Sequence, residues 1–125
     1  DGNDITIIAT GTLVSRAVAA AQQLKSEGIS ARVINVSTVS PLDTAEILAA
    51  AKETKAIITA EESVTRGGVG GAVAEFVVQN HPIPMKLMGI DSFAPTGSAT
   101  FLLEHFGLTA DSIVASAREL LKHGK

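Results

Sequence analysis

The 125-residue chain has no cysteine, no tryptophan, no tyrosine and only four prolines. Without cysteine there is no disulfide, no thiolate zinc site, no iron–sulfur cluster and no thiol nucleophile. That composition suits a reducing compartment, and a cytoplasmic location is expected. Four phenylalanines are the whole aromatic complement, too few for a base-stacking platform or an aromatic cage. A basic surplus is also missing. Ten Lys and Arg against 13 Asp and Glu leave a net charge of −3, which argues against a nucleic-acid partner. The hydrophobic share is 46%, yet the apolar runs are broken by Gly, Asp and Lys well short of the ~20 residues a spanning helix needs. No membrane partner is expected. There is no G-x-S-x-G elbow and no Lys-containing P-loop. His81, His105 and His123 are scattered without ligand spacing, so no metal site is expected. The first residue is Asp1 and no signal peptide precedes it, so the chain is expected to be a piece of a longer protein.

What is present is an alternation. Residues 5–9, 31–36, 56–60 and 85–90 are short, rich in branched side chains and mostly apolar on both faces. Such runs suit parallel strands covered by helices on both sides. Between them the period changes to that of a helix. Residues 12–27 place Val14, Ala17, Val18, Ala21 and Leu24 on one stripe, with Gly28 as the stop. Asp43 and Glu46 have capping-box spacing ahead of Ile47, Leu48 and Ala51. A third helix starts near residues 69–71, buries Val73, Phe76 and Val77, and ends at Asn80 before His81-Pro82. Residues 98–106 predict a short helix stopped by Gly107. Thr109 then caps a last helix with Ile113, Val114, Ala117, Leu120 and Leu121 inward. The order β-α-β-α-β-α-β-α-α predicts one α/β domain, a three-layer α/β/α sandwich around a doubly wound, mainly parallel sheet.

In such a sheet ligands favour the crevice beyond the carboxyl ends of the strands. Four loops lie there: Thr10-Gly11-Thr12, residues 37–42, residues 61–71 and residues 91–97. The third is the most unusual. Glu61 and Glu62 end a buried strand, Ser63 follows, and Arg66 precedes Gly67, Gly68, Gly70 and Gly71 at a helix start. One reading is a small-anion site, with free helix-start N–H groups beside Arg66. Another is an interface in which the glycines permit close backbone packing and Arg66 pairs with a carboxylate. A third, with Glu61 and Glu62 as an acid/base pair, conflicts with the opposite faces that adjacent strand residues occupy. The candidate interface or anion loop is therefore Glu62, Ser63, Arg66, Gly67, Gly68 and Gly70. A phosphorelay receiver is excluded, because Thr10-Gly11-Thr12 and Glu61-Glu62 stand where it needs acidic residues and an aspartate.

Seven segments in order carry a family resemblance: residues 4–11, residues 31–36, Pro41-Leu42-Asp43, Glu61-Glu62, Gly67-Gly68-Val69-Gly70, residues 93–98 and Phe106-Gly107-Leu108-Thr109. Together they resemble the C-terminal domain of transketolases, most closely the split, two-subunit type, over essentially the whole chain. The resemblance implies four parallel strands in the order 2-1-3-4, with an additional antiparallel strand at one edge contributed by upstream residues. It implies a parent enzyme that transfers a two-carbon ketol unit between sugar phosphates, using thiamine diphosphate and Mg2+. It implies remaining domains or an N-terminal subunit as partners, and a homodimer. The family's metal-binding G-D-G…N-N signature is absent here. No catalytic, cofactor-binding or metal-binding residue is therefore carried over, and a supporting role in dimer assembly is expected. Ser63 stands where split transketolases commonly carry a histidine. The deoxyxylulose-phosphate synthases and 2-oxoacid dehydrogenase components share the domain and remain the alternative, together with a stand-alone small-anion-binding module.

Overall fold

Ile5, Thr6, Ile7, Ile8 and Ala9 all have no exposed surface, and they form the central strand β1 (Ile5–Ala9). Apolar residues on both faces of a strand require a helical layer on each. In the computed structural model, which describes residues 3–10, 13–36, 44–61, 69–88 and 110–123, both layers are present. The elements that follow are α1 (Leu13–Ser26), β2 (Ala31–Asn35), α2 (Thr44–Glu53), β3 (Ile57–Ala60), α3 (Val69–Asn80), β4 (Met85–Met88) and α4 (Ala110–His123). The strands are parallel in the order β2-β1-β3-β4, as the family resemblance implies. Residues 89–90, the helix expected over 98–106 and the cap Thr109 lie outside the described residues, as does Asp43 of the capping box.

Two cores follow from strand alternation. Ile5, Ile7, Ile58 and Met88 face α1 and α4, where they meet Leu13, Ala17, Leu24, Ile113 and Ala117. Ile8, Ile34 and Ile57 face α2 and α3, where they meet Ile47, Ala50, Ala51, Val73 and Val77. The winding reverses between β1 and β3, because α1 crosses on one face and α2 and α3 on the other.

One helix face differs from expectation. The buried stripe of α1 is Leu13, Ala17, Ala20 and Leu24, while Val18 is 41% exposed. The spacing i, i+4, i+7, i+11 meets the sheet and α4. Val18 and Ala21 lie one flank over, beside the edge of β2. Leu48 and Phe76, expected inside, are half-buried. Gly28 ends α1 as predicted. It has φ +83°, its N–H donates to the Lys25 carbonyl at 3.0 Å, and the Ile29 N–H donates to the Leu24 carbonyl at 2.9 Å. This is the Schellman arrangement, which favours glycine.

Polar side chains are used to tie elements together. Asp4 accepts the Ser30 N–H on Oδ2 at 2.7 Å and the Lys55 N–H on its carbonyl at 2.9 Å. It thereby joins the starts of β1, β2 and β3. The buried Thr54 hydroxyl donates to the Ala50 carbonyl at 2.7 Å. Its oxygen is 2.9 Å from the Thr6 hydroxyl, and since its proton is committed, Thr6 is the donor. The two threonines are therefore unequal. Thr54→Val leaves the Thr6 donor buried and unpaired, which costs about 1–3 kcal/mol. Thr6→Val removes the donor itself and costs about 1 kcal/mol or less. Urea unfolding of the two variants checks this order; equal losses would contradict it.

Arg118 on α4 grips Glu27, just beyond α1, with two donors: Nε reaches Oε1 at 2.9 Å and Nη2 pairs with Oε2. The hydrogen bonds from Arg118 hold the Glu27 carboxyl below its ordinary value of 4.5, partly offset by desolvation. A carboxyl lowered in the folded state stabilises above its unfolded pKa, and that contribution fades as pH falls through the lowered value. Glu27→Gln therefore separates most from the parent chain above pH 4.5, and the two converge in acid. The difference also shrinks in high salt, since the pair is solvent-exposed. A separation that grew with acidification in pH-dependent thermal unfolding would reverse this assignment.

Candidate functional site

The carboxyl ends of β1 and β3 adjoin at the winding reversal. The Thr10 N–H donates to the Ala60 carbonyl at 3.2 Å, and the Thr10 carbonyl accepts the Leu13 N–H at 3.0 Å, which starts α1. The Glu61 N–H donates to the Met88 carbonyl at 3.1 Å, continuing the ladder one residue past β3. Alternation puts Ile57, Thr59 and Glu61 on the α2–α3 face, and Glu61 is only 2% exposed. Glu62, Ser63, Arg66, Gly67 and Gly68 lie outside the described residues; Gly70 falls in the first turn of α3. Glu61 is thus the one member of the acidic pair whose place is known, and that place is inside a helical layer.

A hard divalent cation takes about six oxygen ligands, and among the described residues no three His, Asp or Glu side chains converge. Among the described residues no helix is long and apolar enough to cross a membrane.

Thr59, two residues before Glu61 on the same face, carries a buried hydroxyl with no hydrogen-bond partner among the described residues. An unpaired buried hydroxyl is a net cost. Thr59→Val keeps the shape and removes the penalty, so it is expected to stabilise the chain by about 1 kcal/mol. A loss of stability in thermal unfolding would show that this hydroxyl has a partner in solution.

The second distinctive place is the outer edge of β2. The Ile5 N–H donates to the Ser30 carbonyl and the Val36 N–H to the Ala9 carbonyl. By alternation Arg32 and Ile34 also bond β1, so the backbone groups of Ala31, Val33 and Asn35 face outward. Grooves flank this edge on both faces. One, of about 520 Å³, lies against α1 and is lined by Val18, Ala21, Ile29, Ala31 and Val33, with Lys25 at its margin. The other, of about 430 Å³, lies against α2 beside Arg32, Ile34 and Glu46. In it Arg32 Nη2 pairs with Glu53 Oε1 at 2.8 Å. At the opposite edge, β4 has four residues; the Pro84 carbonyl accepts the Ile57 N–H on the inner side, so by alternation the backbone groups of Met85 and Leu87 face outward. Sequence reasoning missed the β2 edge. Its signal was Val18 and Ala21, apolar positions that the core does not cover.

Fold and topology define a three-layer, doubly wound α/β domain. The family model described as "Transketolase, C-terminal domain" matches residues 1–113, and the chain belongs to that family. It is similar to a 6-deoxy-6-sulfo-D-fructose transketolase subunit from Clostridium sp. (strain MSTE9), with 44% identity over 121 residues, 96% of this chain and 38% of the relative. It is also similar to a 1-deoxy-D-xylulose-5-phosphate synthase from Heliobacterium modesticaldum (strain ATCC 51547 / Ice1), with 41% identity over 121 residues, 95% of this chain and 19% of the relative. A solved structure described as a split gene transketolase, inactive beta4 tetramer, superimposes with a TM-score of 0.94 at 37% identity. It covers 100% of this chain, which in turn covers 41% of that one. The chain thus spans well under half the length of these proteins.

Proposed function

We propose that the chain is the assembly-supporting C-terminal domain of a thiamine-diphosphate-dependent transketolase, which moves a two-carbon ketol unit between sugar phosphates. Thiamine diphosphate and Mg2+ bind to other parts of that enzyme. The remaining domains, or an N-terminal subunit, are its partners, and the parent enzyme is a cytoplasmic homodimer. The observation that carries this reading is the whole-chain match to the split-gene structure, of which these residues make up only 41%. The use of polar side chains supports it as well. Asp4, Thr6, Thr54, Glu27 and Arg118 bond to other elements of the same domain and thereby stiffen a supporting body.

Within this reading the additional antiparallel strand runs along β2. There it meets the outward backbone groups of Ala31, Val33 and Asn35, and its side chains fill the two flanking grooves. The candidate loop around Glu62, Ser63, Arg66, Gly67, Gly68 and Gly70 serves as a contact with the rest of the assembly. An anion held there would instead shift the amide resonances of Gly67–Gly71 in a titration with inorganic phosphate. Unmoved resonances retain the interface reading.

The test of activity is a ketol-transfer assay on the assembled enzyme, supplied with a ketose phosphate donor and an aldose phosphate acceptor. Transfer that depends on thiamine diphosphate is expected. The similarity to a 1-deoxy-D-xylulose-5-phosphate synthase favours one second reading, the same domain in such a synthase. Formation of 1-deoxyxylulose 5-phosphate without ketol transfer would select it.

A further inference from the structure

We draw no further inference here: the strongest candidate, the apolar groove between α1 and the open edge of β2, belongs to the strand-addition site already described.

Discussion

Ile58→Ala is expected to remove about 4 kcal/mol of folding stability. Ile58 has no exposed surface and sits in the middle of β3, paired with Ile7 on one side and Lys86 on the other. Its side chain enters the core shared by α1 and α4. Truncation loses the transfer free energy of the removed carbons and leaves a cavity. A central strand of a parallel sheet has little freedom to move and close it, so the cost falls toward the upper part of the 2–5 kcal/mol range. Domains of this size have roughly 5–15 kcal/mol in total, and the midpoint of thermal unfolding should drop by about 15 °C. Ile58→Val, which removes one methylene, is expected to cost about 1 kcal/mol. Urea unfolding checks both, with unchanged denaturant dependence. A loss below about 1 kcal/mol for the alanine variant would mean that α1 and α4 do not close over the sheet as described.

The second large effect concerns the edge of β2. In the 125-residue chain the amides of Ala31, Val33 and Asn35 face outward, while those of Arg32 and Ile34 bond β1. Hydrogen exchange should therefore alternate along the strand, fast at 31, 33 and 35 and slow at 32 and 34. Under the proposed reading a further segment of the parent enzyme adds a strand here, and with that strand in place the outward amides become bonded. Covering Val18, Ala21, Ile29, Ala31 and Val33 removes apolar surface from water, worth about 2 kcal/mol before the ordering cost of the strand. Exchange at Val33 should then slow by about a hundredfold, since it requires the added strand to leave. Protection of Val33 in the 125-residue chain alone, or none in the assembled enzyme, would remove the added strand from the account.

Much of this architecture is legible in the residues, for identifiable reasons. β1 and β3 are apolar without alternation, and that reads directly as a sheet covered on both faces. Gly28 can be recognised as a stop because the left-handed backbone there suits glycine. The Ile113–Leu121 stripe of α4 is periodic enough to place its inner face. Val18 shows where periodicity stops being informative. A helix can be apolar over a wider arc than its own domain covers, and hydropathy does not separate the part that meets the core from the part left for another segment. Thr6 and Thr54 are equally opaque, since their bond spans 48 residues and neither has a distinctive neighbour. The burial of Glu61 follows from alternation, but only once the face of β3 is known. Of the loop residues marked as candidates, Glu62, Ser63, Arg66, Gly67 and Gly68 fall outside the described residues, and Gly70 is placed only as part of α3.

The central claim, that this domain supports a transketolase whose cofactor binds elsewhere, meets its most direct test in calorimetry. Thiamine diphosphate with Mg2+ is titrated into the 125-residue chain and, separately, into the enzyme assembled with its remaining domains or subunit. The account predicts saturable binding heat from the assembled enzyme and none from the chain alone. Micromolar binding by the isolated chain, or no binding by an assembled enzyme that is folded, would contradict it.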